Sequence, residues 1–222
     1  ALTCCSELPE QPHILDIGCG TGAQTLTLAQ HGGGRITATD LVPELLAVVT
    51  ERMAAAGLAD RVTTRAADMH ELPFEDGAFD LLWSEGAIYI MGFDAGLNAW
   101  RRLLKPRGYV VVSEACWFRP EPPAELAQFW AEGYPDMRSL EANAAAAAEL
   151  GWEIVDTFRL PEASWTEGYY GPLRARVPGF RERHANDPDA LEVAAMTERE
   201  MQLFEANADY YGYAFYILRA TP

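Results

Sequence analysis

The string Leu15-Asp16-Ile17-Gly18-Cys19-Gly20-Thr21-Gly22 sets a carboxylate near the end of an apolar run and follows it with three glycines at a spacing of two. Glycine allows torsions and a close backbone approach that any side chain blocks, so a ligand can lie directly on such a loop. The helix expected next offers free N–H groups and a positive dipole end to an anionic part of that ligand. Asp16 would meet a cationic part. The spacing Gly18-x-Gly20-x-x-Ala23, with Asp40 about twenty residues on, also satisfies the fingerprint of a dinucleotide site. The carboxylate helps to separate the two chemistries: it gives a pyrophosphate nothing, whereas it attracts a ligand that carries an ammonium and a sulfonium.

Two further acids extend the pattern. Asp40 ends Thr37-Ala38-Thr39-Asp40-Leu41, where a carboxylate can accept from both hydroxyls of a ribose. Asp68 ends the third β-like run and can accept from an adenine amino group, with Met69 beside it supplying a backbone N–H and apolar contact. Any one of these acids alone could as well cap a helix or a turn. Three of them at the carboxyl ends of three successive strands lie along the edge on which open α/β sheets bind ligands.

The elements that must hold these residues read as α/β, a doubly wound, mostly parallel sheet, because short β-like runs alternate with helical ones from His13 onward. Strands are expected at 13–17, 35–40, 62–67, 79–83 and 109–114, and helices over 23–31, 43–57 and 95–104. Lys105-Pro106-Arg107-Gly108 is expected to close the last of these helices. The alternation then loosens. A helix up to about Tyr134 follows Pro122-Pro123, an alanine-rich helix covers 139–150, and a sixth strand covers 151–160. Two helical stretches fill 165–209, and 213–219 closes the chain as a last strand. No repeat, disordered linker or second core is expected.

The balance of 17 Lys+Arg against 33 Asp+Glu, a formal charge of -16, repels phosphate backbones and anionic lipid surfaces, which argues against nucleic acid and membrane partners. No apolar run approaches the roughly 20 residues that a membrane span needs, and Ala1 to Glu10 lack a basic region followed by an apolar stretch, so a cytoplasmic protein is the simplest expectation. Cys4, Cys5, Cys19 and Cys116 have neither metal-ligand spacing nor a disulfide pattern. His13, His31, His70 and His184 are scattered, and no metal site is expected.

With these residues in view, the sequence resembles the class I S-adenosylmethionine-dependent methyltransferases. The resemblance runs through Ile14 to Gly22, a first motif of the ubiquinone/menaquinone type, and through Thr39-Asp40, Ala67-Asp68 with Leu72-Pro73-Phe74, and Phe79-Asp80-Leu81-Leu82. It covers about residues 13–117, and the small-molecule branch of the family looks nearest. It implies a Rossmann-like, seven-stranded sheet with a reversed final hairpin, and helical insertions after the fifth strand and before the last. It also implies S-adenosylmethionine as cofactor and S-adenosylhomocysteine as product. Asp16, Gly18, Cys19, Gly20, Thr21 and Gly22 would face the methionine part, Asp40 with Leu41 the ribose, and Asp68 with Met69 the adenine; Ser84 completes the set. Family members usually carry helices ahead of the first strand, so part of a lid would precede Ala1.

The expected organisation is one domain over 1–222, with 13–117 as the cofactor core and 118–212 as helical cap elements contributing to an acceptor pocket. Phe129, Trp130, Tyr134, Trp165, Tyr169 and Tyr170 are candidate cap walls. On the acceptor side Glu85 is the first candidate for a general base, Glu114 the second, and Tyr89 could supply a hydroxyl or a ring wall. Each has a plainer reading: a helix N-terminal carboxylate, a structural acceptor and a core residue, respectively. The expected reaction is methyl transfer to a small molecule by in-line displacement. Two other functions fit the loop less well: a non-catalytic protein that senses the cofactor, and a nicotinamide-dependent oxidoreductase, which the absence of a Tyr-x-x-x-Lys pair disfavours.

Overall fold

The computed structural model describes residues 1–221. The apolar run β1 (His13–Ile17) leads through the glycine loop into α1 (Ala23–His31), β2 (Arg35–Asp40), α2 (Pro43–Ala55), β3 (Val62–Ala66) and β4 (Phe79–Glu85). Then come α3 (Phe93–Trp100), β5 (Leu104–Trp117), α4 (Ala124–Gly133), α5 (Leu140–Glu149) and β6 (Trp152–Arg159). The chain ends with α6 (Glu162–Trp165), α7 (Gly171–Arg183), α8 (Pro188–Asn207) and β7 (Tyr211–Ala220). Contacts divide it into two compact units: Ala1–Glu114 with Leu140–Phe158 and the residues from Ala214 on, and Ala115–Ser139 with Arg159–Tyr213.

The first unit is built on a seven-stranded sheet in the order β3-β2-β1-β4-β5-β7-β6. The pairs β1 with β2, β1 with β4, β2 with β3 and β4 with β5 are parallel, with Ile14 opposite both Ile36 and Leu81. At the far edge Phe158 stacks on Phe215 at 5.1 Å while Glu153 pairs with Arg219, so β6 and β7 run in opposite directions. Ile14, Leu15, Ile17, Leu81, Leu82, Val111 and Val112 are wholly enclosed, each contributing on the order of 1.5–3 kcal/mol by burial. The helices follow the same logic: α2 buries Leu46, Val49 and Met53, and α3 buries Phe93, Gly96, Leu97 and Trp100, one face at helical spacing in each case. Strand order reverses between β1 and β4, the switch point outside which such sheets form a crevice.

Two local expectations are corrected here. β4 extends to Glu85, so Ser84 and Glu85 are strand residues, and Glu85 is not at a helix start. Lys105 to Gly108 does not close a helix either: α3 ends at Trp100, and the four residues bulge within β5. In the register Phe79 faces Leu104 and Leu81 faces Tyr109, which leaves Asp80 alone opposite the excursion. A bulge accepts Pro106, which lacks an N–H, and tolerates the positive φ of Arg107. Asp80 anchors it, accepting from Lys105 Nζ at 2.9 Å and from the His13 amide at 2.8 Å.

The second unit has a core of its own, contrary to the expectation of none. Leu126, Met137, Trp165, Tyr170, Val177, Ala194, Met201, Leu203, Phe204 and Tyr211 form one buried cluster. Trp165 lies stacked between Phe204 and Tyr213, at centroid distances of 4.8 and 5.1 Å. Of the other candidate wall aromatics, Tyr170 is inside this core, Phe129, Trp130 and Tyr134 pack on it half-buried, and Tyr169 is exposed. Ion pairs between Arg181 and Glu198 and between Arg174 and Glu205 join α7 to α8, whose start is capped by Asp187 accepting from the Ala190 amide. The spacing of these aromatics follows no single period, which hid the cluster from a linear reading.

Candidate active site

The glycine loop leaves β1 with Gly18, Gly20 and Gly22 all at positive φ, a conformation that side-chain-bearing residues adopt at a cost. At Gly18 a Cβ would stand 2.6 Å from that of Ala87, so the close approach is required by the fold. At Gly20 a Cβ would meet nothing within 4 Å, so the space beside it is open. The loop is tied down by its backbone: the Cys19 amide donates to Thr39 O, and the Gly20 amide donates to Asp40 Oδ2, each at 2.9 Å. Asp40 Oδ1 accepts from the Val42 amide at 3.0 Å. Asp40 therefore shapes the loop as well as facing the crevice.

Asp16 is completely buried. Thr25 Oγ1, from α1, donates to its Oδ2 at 2.6 Å, and its Oδ1 has no hydrogen-bond partner. Burial pushes its carboxyl up to about 7; the Thr25 bond opposes this, Glu85 adds to it, Gln24 opposes and Asp40 adds. Enclosed negative charge without a protein cation is costly. An orphaned, buried carboxylate oxygen beside two more acids fits a ligand that brings a cation, and it repels a diphosphate.

A cavity of about 440 Å³ opens beside this loop, within the size range of small-molecule sites. Gly18, Asp40, Leu41, Asp68 and Met69 line it, so five of the expected cofactor residues come together from the ends of three strands. Asp68 Oδ1 accepts from the His70 amide at 2.9 Å and pairs with His70 Nδ1 at 2.7 Å, which holds the Asp68 carboxyl below its ordinary range. Met69 is held by its carbonyl, which accepts from Trp100 Nε1 of α3 at 3.0 Å. Leu41 and Ile90 leave 67% and 54% of their surface in water at this cavity, apolar area that a planar base would cover.

The other expected residues lie outside that lining. Cys19 is buried behind the loop, its thiol pushed up by burial and by Asp16 and Asp40, and Thr21 is exposed. Ser84 is wholly buried with an unpartnered Oγ. Glu85 accepts from Trp83 Nε1 at 2.7 Å, and burial pushes its carboxyl up. Glu114 is buried in β5, and Tyr89 is half-exposed in a 3-10 turn over Ile88–Ile90. Thr39, Val42, Ala67, His70, Gly86, Ala87 and Ile90 also line the cavity and were not among the expected site residues. A signal existed for His70, two positions after Asp68; Ala87 and Ile90 gave none, because the segment after β4 reaches the loop only through tertiary contact.

Residues 14–108 match the model of a methyltransferase domain. By that match and by the relatives below, the chain is similar to S-adenosylmethionine-dependent methyltransferases. The methyltransferase YodH of Bacillus subtilis, described as uncharacterized, is 37% identical over 120 residues, which are 54% of this chain and 50% of that protein. The sterol 4-C-methyltransferase strm-1 of Caenorhabditis elegans is 36% identical over 107 residues, 48% of this chain and 32% of its own length. The chain thus spans a third to a half of the curated relatives it matches. An S-adenosylmethionine-dependent methyltransferase from Geobacter sulfurreducens, solved in complex with S-adenosylhomocysteine, superposes with a TM-score of 0.81 at 24% identity, covering 98% of this chain and 89% of that one. That likeness is one of fold, and it agrees with the seven-stranded, mostly parallel sheet described above. Among the described residues no helix is long and apolar enough to cross a membrane, and no group of three or more His, Cys, Asp or Glu is placed to hold a metal ion.

Proposed function

We propose that the chain binds S-adenosylmethionine in this crevice and transfers its methyl group to a small-molecule acceptor. The observation that carries the reading is Asp16: a buried carboxylate with a vacant oxygen, flanked by Glu85 and Asp40, at the root of the glycine loop. When bound, the cofactor supplies an electrophilic methyl on a sulfonium, a good leaving group. Asp16 Oδ1 accepts from the cofactor's amino group, Asp40 from its ribose hydroxyls, and Asp68 from its base, with Leu41, Met69 and Ile90 as apolar walls. Gly18 to Gly22 and the start of α1 receive its carboxylate. Ser84 Oγ contributes a polar contact from β4.

The protein's main task is then to hold the acceptor in line, an effect worth on the order of 7–11 kcal/mol. Glu85 takes the proton of an acceptor that must lose one, a contribution of about 10²–10⁴-fold; its raised carboxyl suits that work. Glu114 and Tyr89 are second choices for orienting the acceptor. A small acceptor is supported by the acidity of the chain, which disfavours nucleic acid, and a cytoplasmic setting by four cysteines that form no disulfide.

Calorimetric titration with S-adenosylhomocysteine and, separately, NADH tests the cofactor. Saturable binding of the first alone is expected, and binding of NADH instead would overturn the reading. Incubation with isotopically labelled S-adenosylmethionine and metabolite extracts, read by mass spectrometry, then identifies the acceptor; binding with no labelled product from any extract would favour a sensing role over catalysis.

A further inference from the structure

Asp16 is held from α1. Thr25, the third residue of α1, donates to Oδ2 at 2.6 Å from a position that is itself completely buried, and Oδ1 is left bare. The charged groups acting on the carboxylate are Glu85 at the end of β4 and Asp40 at the end of β2, both acids; the Cys19 thiol of the loop, itself pushed up, is the other titratable neighbour, and α1 presents only uncharged donors, Thr25 and more weakly Gln24. A donor on one oxygen fixes the plane of the carboxylate and so fixes where the other oxygen points. The protein therefore supplies the orientation of an anion and leaves its counter-cation to the ligand.

We infer that Thr25 is a positioning residue: its hydroxyl holds Asp16 so that Oδ1 is presented to the ammonium of the ligand, and capture of that ammonium displaces one proton from Asp16 to solvent. This rests on the cofactor reading above and deepens it. Burial raises the Asp16 carboxyl to about 7, so near neutrality the ligand-free carboxyl is divided between its two forms, and only the ionised form pairs with a cation. The proton balance is simple: the ligand arrives with its amine already protonated, the O–H bond of Asp16 breaks, and the buffer takes the proton.

The experiment compares two ligands, S-adenosylhomocysteine and 5′-methylthioadenosine, which keeps the nucleoside thioether and lacks the amino-acid end. Both are titrated into the wild-type chain, Thr25→Val and Thr25→Ser by calorimetry, from about pH 5.5 to about pH 8, in buffers of different ionisation enthalpy. For the wild type, affinity for S-adenosylhomocysteine rises as pH rises through about 7, with up to one proton released per ligand on the acid side. Thr25→Val weakens that ligand by about 10- to 100-fold, the worth of a hydrogen bond to a charged group. It also moves the rise to higher pH, because the ionised form has lost its donor, and Thr25→Ser restores both. Affinity for methylthioadenosine changes with neither variant, and any slope it shares with the other ligand reports groups other than Asp16.

A pH-independent affinity for S-adenosylhomocysteine without proton release in the wild type overturns the inference, even if Thr25→Val fails to fold. Equal losses of both ligands in a folded Thr25→Val also overturn it, since they describe a latch between α1 and β1 and nothing more. If the wild type binds neither ligand, the cofactor reading itself falls and takes this inference with it.

Discussion

Alanine placed at three glycines of equally unusual backbone separates what the fold needs from what the ligand needs. Gly18, Gly20 and Gly57 have φ of 70°, 53° and 70°, so alanine at each pays a left-handed penalty of about 1–2 kcal/mol. At Gly57, beyond α2, nothing lies within 4 Å of the new methyl group, and that penalty is the whole effect. At Gly18 the methyl group lies 2.6 Å from the Ala87 Cβ and 3.4 Å from Met69 Cε, so backbone must shift at a further cost of about 1–3 kcal/mol. At Gly20 the methyl group again meets no protein atom, but it projects into the open space assigned to the methionine end of the cofactor. Differential scanning calorimetry is expected to show similar falls of about 2–8 °C for Gly20→Ala and Gly57→Ala, and a larger one for Gly18→Ala. Isothermal titration with S-adenosylhomocysteine is expected to show wild-type affinity for Gly57→Ala and a loss of at least about tenfold for Gly20→Ala, the cost of one methyl group in a filled site. A Gly20→Ala chain that melts like Gly57→Ala and binds like the wild type would refute the placement of the ligand over this loop.

Other perturbations read the remaining parts of the site. Asp40→Ala removes the acceptor of the Gly20 and Val42 amides together with the proposed ribose contact, and a loss of about 10²–10⁴-fold in S-adenosylhomocysteine affinity is expected; unchanged affinity would remove Asp40 from the site. Glu85→Gln is expected to lower kcat while leaving cofactor affinity near the wild-type value. It should also abolish the acid limb of the kcat profile measured at saturating cofactor, which in the wild type lies above the ordinary carboxylate range because burial raises the Glu85 carboxyl. Asp16, raised from 3.8 to about 7 in the folded chain, binds its proton more tightly there than when unfolded, so its contribution to stability is complete below 3.8 and lost as pH rises through about 7. The ligand-free chain should accordingly melt lower near pH 8 than near pH 6, with the rise in melting temperature on adding S-adenosylhomocysteine greater at the higher pH; the reverse order would count against an enclosed, uncompensated Asp16. In the helical unit, Trp165→Ala should cost about 3–5 kcal/mol, visible as faster amide exchange in α7 and α8, and undiminished protection there would deny the cluster its role as a core.

What was legible in the linear chain is what depends on neighbours in sequence. Alternating apolar runs specify β1 to β4 within a few residues, a strand that runs into Gly18-x-Gly20-x-Gly22 specifies a ligand loop, and acids that end successive strands must fall on one edge of a parallel sheet. Each of those statements needs only local backbone preference and the period of a strand. Tertiary structure decided the rest. That Asp16 has one oxygen held and one bare follows from Thr25 arriving across the turn of α1, and that its carboxyl is raised follows from enclosure, which belongs to the packed sheet and not to residue 16. Ala87 and Ile90 enter the cavity because the chain returns after β4, Lys105 to Gly108 becomes a bulge because β4 and β5 pair on either side of it, and aromatics scattered over the second half of the chain find one another only in a folded core. Sequence names the groups that chemistry requires; distance, burial and the direction of a carboxylate oxygen exist only once residues far apart in the chain exclude water together.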